Sequence, residues 1–365
     1  MSRPVYVAAG GGGDALASLM FRSAAGPFGS TAVVVSYSWD RYIIDPHPGP
    51  RTPADFQRLT QISEHCWVVS GDSLLPAGGT SGLTLLARHT DAQFVLMDPS
   101  CGAQGMRQQL TELLEALNAD EVVLVDVGGD VAARGDEPTL LSPLGDSLAL
   151  AAVTALPVPT TVAVLGPGLD GELAANTVHH DLIEAGATCL QLDVTNVDPY
   201  LGALEFHPSE ATMLIAAAAK GVGGHAEIRD KGALIALNAA SATAYTLASS
   251  SVLRLNQVAQ ALISTRTFAE AEAITKTMCG RTELDHERRK AAALALSRPP
   301  EPGHAELTLR FKNYCAAAAD RGVDLVSFRR ITEVIGKHTY DPPAVREIAG
   351  DLAYGDLPLC RTSKL

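Results

Sequence analysis

Residues 121–146 read EVVLVDVGGDVAARGDEPTLLSPLGD, an apolar run followed by carboxylates at Asp126, Asp130, Asp136, Glu137 and Asp146 among Gly128, Gly129 and Gly135. Carboxylates this dense repel one another unless a cation, a row of backbone N–H groups or a polyhydroxylated ligand offsets their charge. Oxygen donors of this kind suit Mg²⁺, Mn²⁺ or Ca²⁺ rather than Zn²⁺, and the spacing is not that of an EF-hand. Asp130 and Asp136 are therefore the candidate metal ligands. Asp126, Asp130 and Glu137 are the candidate catalytic groups, with Glu137 as general acid or base because crowding raises a carboxyl pKa. The competing reading is a solvated loop in which Asp136, Glu137 and Asp146 only cap turns and helices. It is weaker for Asp126 and Asp130, which follow the apolar run directly.

A second such turn, Gly10-Gly11-Gly12-Gly13-Asp14, joins a strand-like stretch at 4–9 to a helical one at 15–25. Gly10, Gly12 and Ala15 satisfy the relaxed G-x-G-x-x-A spacing of dinucleotide sites, and Asp40 follows the next strand, 31–38, where a ribose-binding acid would sit. NAD(P) is thus an alternative cofactor, although Asp14 at a helix start repels a pyrophosphate. Gly11, Gly12, Gly13, Asp14, Gly128, Gly129 and Asp170, the last in the GPGLDGE turn at 166–172, are candidate substrate or phosphate contacts. Arg51, closing the proline-rich loop 45–51, is the candidate anion ligand.

The elements that must carry these turns alternate. Strands are expected at 66–70, 94–97, 121–125, 160–165 and 189–192, with helices at 53–64, 103–118, 173–185 and 208–220. This spacing predicts an α/β, Rossmann-like fold with a mostly parallel sheet and helices on both faces. Asp14, Asp40, Asp72, Asp98, Asp126, Asp170 and Asp193 would then lie at the carboxyl edge, where open parallel sheets bind ligands. Asp126 and Asp130 are expected to face Asp14 and Asp170 across one cleft. A further strand is expected at 233–237 and helices at 252–263, 267–278 and from 282 onward. The α/β domain is placed at 1–297, a linker at 298–303 (RPPEPG) and a small helical C-terminal segment at 304–365.

The chain of 365 residues is 47% hydrophobic, enough for a continuous core. Its net charge of -13 argues against a nucleic-acid surface. Six cysteines without a C-x-x-C pair read as reduced thiols, and the N-terminus lacks a signal-peptide core, so a cytoplasmic location is expected. The apolar tract 148–169 is cut by Pro157, Pro159 and Pro167, which excludes a membrane span there. The terminal Ser363-Lys364-Leu365 spells a peroxisomal address and is read as coincidence. Neither G-x-S-x-G nor the P-loop pattern occurs. His179 and His180 read as surface residues, His47 and His225 as better placed for chemistry, and Cys66 as core.

On GGGGD at 10–14, DVGGDVAARGDEPTLLSPLGDSLAL at 126–150, GLDGEL at 168–173 and TELD at 282–285, the chain resembles an uncharacterised archaeal and bacterial family catalogued as domain of unknown function 1152, over about residues 3–295. The resemblance implies an α/β fold and singles out these loops; it implies no reaction. The expectation is an enzyme, hydrolase or transferase, that holds a phosphorylated or nucleoside-like small molecule, with a divalent cation (Mg or Mn) bridging carboxylates and phosphate. Without the metal, Arg51 or Arg134 must offset the charge. A neutral sugar or an amine suits the carboxylates without metal. The alternatives are a nicotinamide-dependent oxidoreductase and a non-catalytic metabolite-binding or scaffold protein. No membrane partner is expected, and a homo-oligomer is left open.

Overall fold

The computed structural model describes residues 3–26, 31–229, 231–296 and 300–363. Residues 298–299 of the expected linker and Lys364-Leu365 of the terminal tripeptide lie outside the described residues.

Thirteen strands are present among the described residues: β1 (Pro4–Ala8), β2 (Val33–Ser36), β3 (Thr60–Gln61), β4 (Trp67–Val69), β5 (Gln93–Leu96), β6 (Glu121–Val127), β7 (Thr160–Leu165), β8 (Thr188–Gln191), β9 (Gly224–Ile228), β10 (Ala233–Leu237), β11 (Thr243–Ala248), β12 (Leu325–Ser327) and β13 (Leu359–Arg361). The helices are α1 (Gly12–Ala25), α2 (Gly82–His89), α3 (Gly102–Leu117), α4 (Pro143–Val153), α5 (Ala175–Glu184), α6 (Val194–Val197), α7 (Leu201–Phe206), α8 (Glu210–Ala219), α9 (Ser249–Leu255), α10 (Gln257–Leu262), α11 (Phe268–Cys279), α12 (Glu283–Leu296), α13 (His304–Asp320), α14 (Phe328–Ile335) and α15 (Pro342–Ala349).

The large sheet has the order β3-β4-β5-β2-β1-β6-β7-β11-β8. Its centre, from β5 through β2, β1 and β6 to β7, is parallel. A sheet covered on both faces needs strands that are apolar on both sides. In β1, Tyr6 and Ala8 face one core with α1, α2 and α8, while Val5 and Val7 face the other with α3, α4 and α10. The chain leaves β1 toward β2 on one side and β6 lies on the other, so the strand order reverses between β1 and β6 and opens a crevice at their carboxyl ends.

Several local expectations are corrected. Residues 53–64 do not form a helix: the Asp55 carboxylate accepts from the backbone N–H (2.7 Å) and the hydroxyl (2.9 Å) of Thr52, closing a single 3-10 turn at Pro53–Asp55. Arg58, at φ 63, then reverses the chain into β3. The stretch 252–263 breaks at Asn256, which ends α9 and caps α10 by accepting from the Ala259 N–H at 2.7 Å. β11, absent from the sequence reading, enters antiparallel between β7 and β8.

A second sheet, β10-β9-β12-β13, includes the strand expected at 233–237. The C-terminal segment carries the expected helices, α13 to α15, and adds β12 and β13, with β12 parallel to β9. Phe311, Phe328, Ile331, Ile335 and Val345 form its own core. No described helix is long and apolar enough to cross a membrane.

Candidate functional site

The site is built where β1 and β6 diverge. β1 runs into Gly10 and Gly11, α1 starts at Gly12, and Asp14 in its first turn turns back so that its Oδ2 accepts the Gly10 N–H at 2.6 Å. A Cβ on Gly10 would lie 2.9 Å from that oxygen and 3.2 Å from Asp146 Oδ1, so glycine is required for the two carboxylates to approach. Asp126 is next to last in β6, and its Oδ2 accepts the Gly129 N–H at 2.9 Å. Gly128 sits at φ 111, open only to glycine, and its face lies against Asp170: a Cβ there would be 2.6 Å from the Asp170 Cγ. Gly168 N–H donates to Gly128 O at 2.7 Å, which ties the turn after β7 to the turn after β6.

Two triads of carboxylates result. One oxygen from each of Asp14, Asp126 and Asp146, and likewise of Asp130, Asp170 and Glu172, lies within 4.8 Å of the others in its triad. Of the sequence-predicted residues, Asp14, Asp126, Asp130 and Asp170 are thus brought together at the strand-order reversal. Asp146 comes from the first turn of α4, and Glu172 from the turn after β7.

Their electrostatics differ. Burial pushes Asp14 up to about 7, against the Gly10 N–H and Arg41. Burial and the charge of Glu172 push Asp170 up to about 6. Asp126, Asp130 and Asp146 are raised well above the carboxylate range by burial and by neighbouring carboxylates. Burial would raise Glu172 too, but it is held below its ordinary value by Arg229 and by hydrogen bonds from the Ser142 hydroxyl (2.6 Å) and the N–H of Leu141 (2.6 Å) and Ser142 (2.9 Å). Asp130 Oδ1 is buried without a hydrogen-bond partner among the described residues. A buried carboxylate oxygen left in this state is costly unless a ligand satisfies it.

The cations of the site were not legible beforehand. Arg229 follows β9 at φ 64, donates its backbone N–H to both oxygens of Glu210 at 3.0 Å, and places its guanidinium on Glu172. Arg41 is exposed; its carbonyl accepts the N–H groups of Ile44 (2.9 Å) and Asp45 (3.1 Å), while its guanidinium makes no hydrogen bond or ion pair among the described residues. Its charge lowers the pKa of Asp14, Asp40 and Asp170. Beside them, Asp40 caps α2 by accepting the Gly82 N–H at 2.9 Å and is pushed up to about 7 by burial. His207 accepts the Ser209 N–H at Nδ1 (3.2 Å), while its Nε2 is buried against Gly12 and Gly82 without a partner among the described residues. Burial and Arg41 push His207 down to about 4, so the ring is neutral at ordinary pH.

Other predicted residues lie elsewhere. Arg51, the expected anion ligand, is buried on Asp45, with Nε–Oδ2 at 2.8 Å and an Nη2–Oδ1 contact at 2.7 Å, so its charge is matched within the proline loop. Asp136 is exposed and belongs to neither triad. Glu137 accepts the N–H groups of Arg134 (2.8 Å) and Gly135 (2.9 Å) and lines a separate groove of about 180 Å³ with Ala132, Leu173, Val178 and Asp181. Arg134 pairs with Asp181 at 3.1 Å. Gly13 packs against Ser209 and Thr212 of α8, and Gly129 against Val178. His225 pairs with Asp324 beside the second sheet, at 3.5 Å.

The TELD motif has a positional role. Glu283 accepts the N–H groups of Leu144 (2.9 Å) and Gly145 (2.8 Å), capping the α4 start that presents Asp146, and Glu287 accepts from Trp39 Nε1 (2.9 Å) and Gly49 N–H (2.7 Å). At the glycine turn the Asp14 and Asp146 carboxylates crowd Gly10, and Asp40 is turned to the start of α2.

The family model described as "Protein of unknown function (DUF1152)" matches residues 5–291. No curated protein and no solved structure matches the chain.

Proposed function

The chain belongs to the DUF1152 family, and from the site itself we propose that it is an enzyme, a hydrolase or group transferase, acting on a phosphorylated or nucleoside-like small molecule with a divalent cation, Mg or Mn. The observation that carries this reading is the unpartnered buried Asp130 Oδ1 within a set of six clustered carboxylates. Hard cations bind such oxygen sets. Asp130, Asp14, Asp126 and Asp146, which have no arginine bonded to them among the described residues, are the groups that would hold the ion, with Asp170 beside it. When bound, the ion supplies Lewis-acid charge next to a phosphoryl group.

Arg41 and Arg229 remove the objection that an acidic site repels phosphate, since they bring guanidinium groups to the same cleft. Asp14 and Asp40, raised to about 7, and Asp170, raised to about 6, are groups able to take up or release a proton near neutral pH. The six cysteines are free, in keeping with a reducing, cytoplasmic setting.

A thermal-shift panel tests the reading: MgCl2 and MnCl2, each with and without inorganic phosphate, nucleotides and sugar phosphates, and NAD and NADP for comparison. A ligand at a hundredfold its Kd adds about 2.7 kcal/mol to stability. The expected result is a shift with Mn²⁺ that grows when a phosphate compound is added. No shift from any phosphate compound, with or without the cation, overturns it. Binding without turnover of any compound would instead favour a metabolite-binding protein.

A further inference from the structure

The family match ends at residue 291, yet the segment beyond it reaches the site. Its entry point is Glu210, buried at the start of α8. The two Glu210 oxygens that accept the Arg229 N–H also accept from the C-terminal segment: Oε1 from the Ser327 hydroxyl, and Oε2 from Arg329 NH1 at 2.9 Å. The same segment grips the strand that delivers Arg229. β12 pairs with β9 at Leu325–Ala226 and Val326–Glu227, and the Glu227 carboxylate accepts from Tyr314, Arg321 and Arg330.

Arg229 itself is in the left-handed region, which a residue with a Cβ keeps only where the surroundings over-determine it. Here those surroundings are Glu210 at its N–H and Glu172 at its guanidinium. A carboxylate taking the Arg229 amide on both oxygens needs other donors to hold it in place, and Ser327 and Arg329 are those donors.

We propose that the segment 300–363 is a positioning module of the site: Ser327 and Arg329, acting through Glu210, hold Arg229 in the backbone conformation that presents its guanidinium to Glu172 and to a bound phosphate. The phosphate clause rests on the function proposed above; the clause on Arg229 does not. Ser327 and Arg329 touch no substrate and are positioning residues.

The test uses the full chain with Arg329→Met, Ser327→Ala and, as a control on the exposed side of α13, Lys312→Ala. Hydrogen exchange of the Arg229 amide is expected to speed up at least about tenfold in the first two variants and to stay unchanged in the control, with β1 and β6 as protected as in the parent chain. Wild-type protection of the Arg229 amide in both variants overturns the proposal. Should Arg329→Met lose protection throughout β1 and β6, Ser327→Ala, which removes one hydroxyl, decides. Calorimetric titration with inorganic phosphate in the presence of Mg²⁺ supplies the second arm. Arg329→Met is expected to raise the phosphate Kd about tenfold, to leave the Mn²⁺ Kd unchanged, and to add nothing in an Arg229→Met background, as coupled residues on one path should. A full tenfold further loss in that background overturns the proposal, because Arg329 would then act independently. Failure of the parent chain to take phosphate overturns the phosphate clause and the function it rests on, while the exchange arm still decides the rest.

Discussion

Asp126 and Asp130 on one limb of the loop after β6, and Asp136 and Glu137 on the other, are the same chemical group in one short stretch of chain, and they occupy different solvents. Asp126 is 1% exposed and Asp130 6%, whereas Asp136 is open to water. The first limb turns back over the sheet because Gly128 and Gly129 take positive φ and bring it against the turn after β7. The second limb closes a surface turn in which Glu137 is satisfied by two backbone N–H groups. Water screens the outer carboxylates. The inner ones keep their mutual repulsion in a medium that strengthens it. Carboxylate density in a sequence therefore marks a site only where the backbone also carries the groups out of water.

The strongest way to break this comparison is to neutralise the inner limb. Asp126→Asn and Asp130→Asn are each expected to weaken Mn²⁺ binding roughly a hundredfold, about 2.7 kcal/mol, by calorimetric titration. Removing a buried repulsion should also make the metal-free Asp126→Asn protein melt higher than the parent at pH 8. Unchanged Mn²⁺ affinity in both variants would show that the inner carboxylates are merely buried.

A pH series sharpens the same contrast. Asp14 and Asp170 rise from 3.8 to about 7 and about 6 on folding, so between pH 4 and 7 these two groups hold more protons in the folded chain than in the unfolded one. Their contribution to stability is complete below about pH 4 and is lost as the pH rises through 6 and 7. The Tm of the metal-free protein is expected to fall on the order of 5 °C across that window, and saturating Mn²⁺ should flatten the fall. A Tm that climbs instead would place the inner carboxylates among ordinary ion-paired ones.

Arg41→Met comes next in size. It should weaken inorganic phosphate in the presence of Mg²⁺ about tenfold, near 1.4 kcal/mol, with no change in Mn²⁺ affinity; equal loss of both ligands would mean that Arg41 serves the fold of the cleft. Smallest of all, Asp136→Asn should stay within about 0.5 kcal/mol of the parent in stability and within twofold in Mn²⁺ affinity, the behaviour of a solvated surface group.

Local rules carried much of the architecture. Apolar runs ending in glycine and aspartate mark β1, β6 and β7 and their turns, because a strand and the turn that follows it are specified by neighbouring residues. The helix expected at 53–64 failed for an equally local reason, the Thr52–Asp55 cap, and β11 escaped notice because a strand that pairs antiparallel at a distance need not announce its partner. Arg51 looked available in the sequence and is bound to Asp45 in the fold.

What the sequence determined by itself is the turns after β1, β2, β6 and β7 at the carboxyl edge and the aspartates within them, since both depend on residues a few positions apart; Asp72 was misplaced because β4 runs antiparallel to β5. Which of those aspartates meet, and which cations face them, was decided only by the tertiary structure. Strand order places Asp14 beside Asp126, and Arg41, Glu210, Arg229 and Arg329 converge from segments with no shared local pattern. Burial, which Asp136 escapes, then raises the Asp130 carboxyl, because a pKa responds to the surrounding dielectric and charges, and those exist only once the chain has folded.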